Sequence, residues 1–412
     1  MLPLIQGGEI SMSEEKTYRG IILKVNPSSE QEELMWKHVN HSRFIYNYML
    51  ERYWEGLDNG KFIDHKQMLS MLKEMKNTEE YSFLNEISRK TLVGKIDDLR
   101  EALIKYHNHE VRKPKFKSKK RESKRFPIRY DRMHFKKEKH VKVEKLGYLQ
   151  ISNGSYKNNK YVLEQEETKP LNPKCYYDGK YWYVSFSIEV DSQYKKEKEL
   201  TNEVIGIDLG IKTLAYCSNG KIYKNINKSS KVKKLEKRLK RLQRQVSRKY
   251  EMNKEGKTFV KTTNIIKLEQ EIKLLHRRLS NIRNNHIHTM TKEIVEELPQ
   301  EIVIEDLKVS NMKKNKNLSK HISKANWYKI REYLTYKCED RGILLTIANT
   351  YYPSTQTCSH CGYQLTKQDK MSLSQRTYKC SCGNNLDRDY SASLNLKNYR
   401  YSKWYQDNII SQ

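Results

Sequence analysis

Four cysteines near the carboxyl end of the chain have the spacing of metal ligands. They form two pairs, Cys358/Cys361 and Cys380/Cys382, and a glycine follows each pair. Glycine at that position lets the chain turn so that backbone N–H groups face the sulfurs. Four converging thiolates suit a tetrahedral Zn²⁺, although two disulfides or four unrelated thiols would have the same composition. A site closed by four thiolates has no open position, so any reaction must use other residues.

Acidic residues at the ends of apolar segments are the candidates for that reaction. Asp208 lies inside VIGIDLGI, Glu305 ends EIVIE, and Asp389 is the second aspartate of LDRD. Each has an ordinary structural explanation, namely a strand-end turn, an exposed strand end and a helix cap, respectively. Carboxylates that cluster beside apolar elements need a counter-charge, and Mg²⁺ takes carboxylates and phosphate oxygens together. Two such ions can activate a water and stabilise the leaving oxygen of a phosphodiester.

The charge of the chain indicates a polyanionic partner. Its 412 residues contain 80 Lys and Arg against 50 Asp and Glu, a net charge of +30. This excess favours nucleic acid first and an anionic membrane surface second, and the 29 tyrosines favour stacked bases over lipid. No apolar run has the length of a membrane span, and the first residues lack the pattern of a signal peptide. Because the odd number of cysteines fits a reducing compartment, we expect a cytoplasmic, nucleoid-associated protein.

Basic residues cluster in segments that suit phosphate contact. The run 112–125 holds nine basic residues and one acid. A solvated linker is the ordinary explanation, but in a chain this basic we expect the run to follow a phosphate backbone. The helix predicted over 82–107 adds weaker candidates for reading a short duplex motif. The candidate nucleic-acid-binding residues are Arg89, Lys90, Arg112, Lys113, Lys115, Lys117, Lys119, Lys120 and Arg121.

The acids must be positioned by a mixed α/β scaffold. In the first half, strands at 17–26 and within 140–190 are interrupted by helices in 28–110. In the second half, apolar residues at alternating three- and four-residue spacing predict an antiparallel helical hairpin over 229–290. The other predicted elements of the second half are strands at 204–212, 301–307 and 343–348, a helix at 324–341, and a terminal helix from Asp389 to about Tyr399. This order predicts an α/β fold with a mixed sheet.

Three motifs, in this order, resemble a known family. GIDLGIK, then IEDL, then CSHCG…KCSCG…LDRDYSASLNL are similar to the RuvC-like nuclease domain of the TnpB family. These proteins are transposon-encoded RNA-guided DNA endonucleases related to the compact type V CRISPR effectors. The resemblance implies that Asp208, Glu305 and Asp389 are the catalytic acids and Mg²⁺ ligands, and that Asp387 is the other aspartate of the DRD motif. Ser391 stands where the family often has Asn, and the second cysteine pair is the shorter C-x-C.

The resemblance also implies a domain organisation. The expected fold is multidomain α/β, with an amino-terminal wedge-like β-barrel, an inserted helical recognition domain, and a carboxyl-terminal RNase H/RuvC-like nuclease domain that carries an inserted zinc finger. The expected domains are the barrel at 1–27 and 126–200, the helical domain with its basic linker at 28–125, the nuclease domain at 201–353 and 384–412, and the finger at 354–383.

Partners and cofactors follow from the same resemblance. The implied partners are a guide RNA from the transposon end and a double-stranded DNA target with a short adjacent motif. The guide would supply sequence specificity by base pairing, while the protein holds the heteroduplex by shape and charge. The implied cofactors are two Mg²⁺ ions, with Mn²⁺ as the alternative, and one structural Zn²⁺. We expect a monomer within a ribonucleoprotein and no membrane partner.

Three other functions fit part of the pattern. GIDLG also opens actin-like phosphotransferases and ATPases, but those need further glycine-rich phosphate loops that this sequence lacks. A catalytically silent RNA-guided repressor should have lost at least one of the three acids, and all three are present. A DNA-binding accessory to transposition would keep the charge without guide-dependent cleavage.

Overall fold

The chain divides into two compact units, Met1–Tyr194 and Lys195–Gln412. The computed structural model describes residues 17–120, 122–129, 131, 133–136, 139–164, 169–190, 199–256, 258–366, 368–369, 371 and 375–410. The finer division into four domains stays a prediction.

The first unit contains a seven-stranded antiparallel sheet. Its strands are β1 (Thr17–Asn26), β2 (Arg125–Pro127), β3 (Met133–Lys136), β4 (His140–Val143), β5 (Gly147–Ile151), β6 (Leu171–Tyr177) and β7 (Trp182–Val190). They pair in the order β2-β6-β7-β1-β5-β4-β3. The implied wedge-like barrel is not shown, because the described residues form an open sheet. Its edge strands β2 and β3 have only three and four residues and pair on one side.

The same unit also contains helices. They are α1 (Ser29–Asp58), α2 (His65–Met75), α3 (Arg89–His107), α4 (Asn153–Asn158) and α5 (Lys160–Leu163). Helix α1 begins at a capping box, in which the Ser28 hydroxyl accepts the Gln31 N–H and the Gln31 side chain accepts the Ser28 N–H. The helix predicted over 82–107 begins later, because Ser88 caps α3 and a short 3₁₀ turn precedes it. Apolar faces of α1, α2 and α3 form one buried cluster.

The second unit is built on a five-stranded mixed sheet, as predicted. The strands of the whole unit are β8 (Thr201–Leu209), β9 (Thr213–Cys217), β10 (Ile222–Lys224), β11 (Lys254–Glu255), β12 (Thr258–Phe259), β13 (Pro299–Glu305), β14 (Leu344–Ala348), β15 (Thr377–Lys379) and β16 (Asn385–Asp387). The main sheet has the order β10-β9-β8-β13-β14, and β11–β12 and β15–β16 are separate two-stranded hairpins. Strand β13 is parallel to both neighbours, β8 and β14, whereas β9 is antiparallel to β8.

Helices cover this sheet and extend from it. They are α6 (Ser230–Met252), α7 (Thr263–Val295), α8 (Val309–Met312), α9 (Lys316–Ala325), α10 (Trp327–Glu339), α11 (Arg388–Lys397) and α12 (Lys403–Tyr405). Helices α6 and α7 form the predicted hairpin, with Val232, Leu242 and Leu275 buried along its seam. Among the described residues, no helix has both the length and the apolar character of a membrane span.

Candidate functional site

Two of the predicted acids meet at one edge of the main sheet. Asp208 is the last but one residue of β8, and Glu305 is the last residue of β13. The two strands are parallel, and Ile207 pairs with Ile304, one residue before each acid. Parallel pairing places the carboxyl ends of both strands at the same edge, so the two carboxylates become neighbours. Asp208 is buried, with 8% of its surface exposed.

The surroundings disfavour two negative charges at this edge. Burial, followed by the charges of Glu305 and Asp389, raises the pKa of the Asp208 carboxyl well above its ordinary value. Burial also raises the pKa of Glu305, although hydrogen bonds from Ser354 and Asp208 oppose that rise. The Ser354 hydroxyl donates to Glu305 Oε1 at 2.7 Å. Burial therefore disfavours the charged form of both carboxyl groups, and a cation bound at this edge would stabilise the two carboxylates.

The third acid lies on the first turn of α11, and its neighbour in the DRD motif caps that helix. Asp387 Oδ1 accepts the N–H groups of Asp389 and Tyr390 at 2.9 and 3.1 Å. The cap explanation considered for Asp389 is therefore wrong: Asp387 satisfies the free N–H groups of the helix end. Because Asp387 makes the cap, the Asp389 carboxylate points elsewhere, and it acts electrostatically on both Asp208 and Glu305.

A glycine seats α11 on the sheet. A Cβ atom at Gly206 would lie 2.1 Å from the Ser393 carbonyl oxygen and 2.2 Å from the Lys397 nitrogen. Any side chain larger than hydrogen would therefore collide with the helix backbone. The first glycine of GIDLG allows this close approach, and the helix that carries Asp389 then packs directly against the strand that carries Asp208.

Two arginines that the sequence analysis missed contact the third acid. The Arg388 guanidinium donates to Asp389 Oδ1 at 3.2 and 3.3 Å, and an Arg376 nitrogen lies 3.6 Å from Asp389 Oδ2. Arg376 reaches this position because the β15–β16 hairpin folds back, and the Arg388 N–H donates to the Arg376 carbonyl at 2.7 Å. The available signal was the short hairpin pattern on both sides of KCSCG. Both guanidinium groups therefore lie against the Asp389 side chain.

The donor set at this edge fits a hard divalent cation. Its members are carboxylates, which Mg²⁺ and Mn²⁺ prefer as ligands. In this conformation the three acids are not gathered as tightly as the cysteines, since among the described residues only the cysteine group has ligand atoms all within 4.8 Å. Two ions about 3.5–4 Å apart would not require all three acids to touch one ion. Asp208, Glu305 and Asp389 are the residues that would hold such ions, which would supply a polarised water and neutralise charge on a phosphate.

The four cysteines form a cluster with the dimensions of a zinc site. The Cys358 and Cys382 sulfurs are 3.7 Å apart, and the Cys361 and Cys380 sulfurs are 3.6 Å apart. A tetrahedron with Zn–S bonds of about 2.3 Å has sulfur–sulfur edges of about 3.8 Å. Each sulfur of the C-x-C pair therefore lies at this distance from one sulfur of the C-x-x-C pair. Four thiolates leave no position for a substrate, so the donor set suits a structural ion.

Backbone turns and one amide support the cysteine cluster. Gly362 and Gly383 follow the two pairs with φ of +74° and +89°, the left-handed conformation that glycine adopts without strain. Burial by itself would raise the pKa of the Cys358 thiol, but hydrogen bonds from the Cys361 N–H and the Asn384 amide lower it to about 6. The Asn384 amide donates to the Cys358 sulfur at 3.3 Å. This thiol is therefore readily converted to the thiolate that a metal requires.

Side chains of α11 connect the cysteine cluster to the acids. The Asn395 amide donates to the carbonyls of Ser354 and Thr357, both at 2.7 Å. The Ser391 hydroxyl donates to that of Ser359 at 3.2 Å, so serine fills the position where the family often has Asn. Since Ser354 also orients Glu305, the first cysteine turn, α11 and the second acid are held by one hydrogen-bond network.

The basic run is packed along α1 rather than left as a solvated linker. Asn47 on α1 exchanges two hydrogen bonds with the Lys117 backbone, at 2.8 and 2.9 Å. The Lys117 ammonium lies 3.4 Å from the Tyr46 ring centroid, and burial lowers the pKa of Lys117 to about 8. Lys113 lies over the Trp54 ring at 4.0 Å. Burial therefore leaves Lys117 less suited to phosphate contact, whereas Lys113 remains exposed beside its ring.

The remaining nucleic-acid candidates differ in exposure. Lys90 lies 3.8 Å from Asp131, so part of its charge is compensated. Arg121 lies outside the described residues. The exposed candidates are Arg89, Arg112, Lys115, Lys119 and Lys120. These side chains are available to contact phosphate.

Family models match three parts of the chain. A family described as "Probable transposase" matches residues 185–316, a "Cas12f1-like, TNB domain" matches 327–396, and a "Helix-turn-helix domain" matches 17–61. The first match includes Asp208 and Glu305, and the second includes all four clustered cysteines and Asp389. The segment matched by the third folds here as β1 followed by the long helix α1.

Full-length relatives and a solved structure cover most of the chain. InsQ of Escherichia coli (strain K12) is 28% identical over 384 residues, covering 89% of this chain and 88% of that protein. A protein of Streptomyces pristinaespiralis is 28% identical over 389 residues, covering 93% and 89%. Both carry names as candidate RNA-guided DNA endonucleases.

A Cas12f1–sgRNA–target DNA complex contains a chain of the same fold, with a TM-score of 0.53 at 14% identity, covering 93% of this chain and 99% of that one. The order of the matched segments agrees with the order of the three sequence motifs. A TnpB-like protein of Acanthamoeba polyphaga mimivirus is 26% identical over 147 residues, covering 34% of this chain and 27% of that protein. The resemblance predicted from the motifs is therefore confirmed: over most of its length the chain is similar to proteins named as RNA-guided DNA endonucleases, and over about a third of it to TnpB-like proteins.

Proposed function

We propose that this protein is an RNA-guided endonuclease that cuts double-stranded DNA with divalent metal ions beside a short adjacent motif. The observation that carries the proposal is the meeting of Asp208 and Glu305 at one sheet edge, with Asp389 on the helix packed against it. A protein that only binds nucleic acid has no need for two neighbouring carboxyl groups whose pKa values are raised by burial. Such an arrangement is costly unless cations neutralise it.

The side chains have separate roles in this proposal. Asp208 and Glu305 bind the ions, and the Ser354 hydroxyl fixes the orientation of Glu305. Asp387 holds the start of α11, so that Asp389 faces the other two acids. Divalent ions held there would activate a water and stabilise the leaving oxygen of the phosphodiester. Arg376, whose side chain is 44% exposed, is positioned to exchange its contact with Asp389 for a DNA phosphate.

The partners follow from charge and from the relatives. A net charge of +30 suits a protein that wraps a long polyanion, and the exposed part of the basic run adds a phosphate-binding stripe. We propose that the bound RNA comes from the transposon end and pairs with one DNA strand, while the protein reads only a short duplex motif. We further propose that one chain acts within each ribonucleoprotein, and that the cysteine cluster carries one structural Zn²⁺.

Cleavage of a plasmid library tests the proposal. The protein is purified with its bound RNA, the RNA is sequenced, and the complex is offered plasmids that contain the matching target beside randomised flanks. We expect linear product only with Mg²⁺ or Mn²⁺, only with the matching target, and only beside one short motif. The Asp208→Ala complex serves as the matched control and should bind RNA without cutting. Cutting that ignores the guide, or no cutting with the native RNA and Mg²⁺, would refute the assignment.

A further inference from the structure

A row of aromatic and basic side chains crosses four strands of the first unit's sheet. Strand pairing places Arg125 opposite Tyr176, Tyr176 opposite Tyr183, and Tyr183 opposite Lys24. Residues directly opposite each other lie on the same face of a sheet. These four side chains therefore form one continuous row over β2, β6, β7 and β1, which we call the tyrosine row.

The tyrosine row lies on the face away from the core. The adjacent register row consists of Phe126, Cys175, Val184 and Leu23, and each of these residues is at most 1% exposed. All four belong to the main buried cluster of this unit. Because successive residues of a strand point to opposite faces, the tyrosine row must point away from that cluster.

The two central rings form a stacked pair. The Tyr176 and Tyr183 ring planes are 14° from parallel, and their centroids are 5.2 Å apart. Both residues are half-buried, so part of each ring meets solvent. Cations stand at both ends of the row: Arg125 is exposed, and the Lys24 ammonium lies 3.6 Å from the neighbouring Tyr181 ring centroid. Rings flanked by cations on an open sheet suit stacked bases with phosphates on either side.

The surface beside the rings carries small and polar residues. Ser185 and Ser187 follow Tyr183 on the same face, and Gly20 lies opposite Ser187. No atom lies within 4 Å of the position that a Cβ of Gly20 would occupy, so this part of the face is open. The Ser185 hydroxyl donates to the Lys174 carbonyl at 3.5 Å, and its oxygen can still accept a hydrogen bond. A ribose 2′-OH is a donor that such an oxygen can bind, and it distinguishes RNA from DNA.

We propose that this face binds an unpaired stretch of RNA through stacking on Tyr176 and Tyr183, with Arg125 and Lys24 contacting the flanking phosphates. The serine hydroxyls select ribose. The inference rests on the proposed function only in taking RNA as the partner. A ring pair that merely stabilised the β6–β7 hairpin would have no effect on RNA binding.

Binding of a uridine decamer tests the tyrosine row. The probe is fluorescein-labelled, and the full-length protein is first freed of nucleic acid at high salt. We expect Tyr176→Ala or Tyr183→Ala to weaken binding about tenfold, the scale of one lost base–ring stack. The dependence of affinity on salt should not change, because no charge is removed. Tyr183→Phe should bind like the wild type, and so should Tyr161→Ala, which removes an exposed tyrosine outside the row.

Equal binding by the alanine variants and by Tyr161→Ala would overturn the proposal. Equal binding of a deoxyuridine decamer would overturn its commitment to RNA. If the alanine variants do not fold, cross-linking of the unaltered protein decides. A decamer that contains 5-iodouridine is irradiated on the protein, and mass spectrometry locates the attached residue. We expect the probe to be attached to Tyr176 or Tyr183. Attachment only to other residues would refute the proposal that the tyrosine row binds RNA.

Neither measurement depends on DNA cleavage. Guide-dependent cutting without stacking on the row would refute this inference alone. Stacking on the row in a protein that never cuts DNA would refute the proposed function alone.

Discussion

Gly206→Ala tests whether cleavage depends on the position of Asp389, because the substitution moves this acid without removing it. The added methyl carbon would lie 2.1 Å from the Ser393 carbonyl oxygen, whereas ordinary contact begins at 3.4 Å. Helix α11 must therefore retreat from β8 by about 1.3 Å, the difference between these two distances. Both close atoms belong to the helix backbone, so a side-chain rotation cannot relieve the collision. Asp389, on the first turn of α11, moves away from Asp208 with the helix.

The expected magnitude follows from that displacement. A misplacement of about 1 Å in a catalytic site can lower the rate about 100-fold. Overpacking of this kind also destabilises a fold by about 1–3 kcal/mol. We therefore expect single-turnover cleavage of a matched plasmid to slow about 100-fold, with a lower Tm but with RNA binding retained.

A second glycine provides the matched control. In Gly154→Ala the methyl group would have no atom within 4 Å, so cleavage and Tm should stay close to wild type. Wild-type cleavage and Tm in Gly206→Ala would show that α11 is not seated as described. A lower Tm with an unchanged rate in the folded protein would refute the link between this contact and the position of Asp389.

Three further predictions concern other parts of the chain. Asp389→Ala should abolish cleavage, whereas Asp387→Ala, which removes a helix cap, should mainly lower the stability, by about 0.5–2 kcal/mol. Plasmid cutting measures the first effect and thermal unfolding measures the second. Equal loss of cleavage in both variants would contradict the assignment. Elemental analysis should find one zinc per chain, and Cys358→Ser should lower both the zinc content and the cleavage rate; zinc-free protein purified without chelator would contradict this. Burial lowers the pKa of His38 from 6.5 to about 4, and its Nδ1–H donates to the Leu34 carbonyl at 2.8 Å. Between these two pKa values, His38 is protonated in the unfolded chain but neutral in the folded chain. The free energy of unfolding should therefore fall by about 3 kcal/mol as the pH drops from 6.5 to 4. Denaturant unfolding at several pH values measures that slope, and a His38→Gln variant with the same slope would show that another group is responsible.

Several features could be predicted because they depend on residues close together in the sequence. The spacing of the four cysteines predicted a cluster that the folded chain forms, with the C-x-C pair included. Alternating three- and four-residue spacing predicted the α6–α7 hairpin, and apolar runs predicted β8 and β13. Periodicity and ligand spacing are local properties, so a pattern of ten to twenty residues is enough to indicate them. The charge of the whole chain likewise needs no structure to indicate a polyanionic partner.

Other features were decided only by contacts between distant parts of the chain. The two aspartates of DRD have the same local sequence context, and only the start of α11 shows that Asp387 is the cap. The β15–β16 hairpin brings Arg376 close to Asp389. The Lys117 ammonium is partly covered by the Tyr46 ring of α1. In the first unit, the described strands pair into an open sheet, whereas a barrel was expected.

Strand register also decided which side chains stand together on a sheet. It placed Asp208 and Glu305 at one edge, although nearly one hundred residues separate them in the sequence. It aligned Tyr176 with Tyr183 on an exposed face. A shift of one residue would reverse the face of every side chain in a strand. Composition and local pattern therefore determined which chemistry this chain carries, whereas register and packing between remote segments determined where its charged and aromatic groups meet.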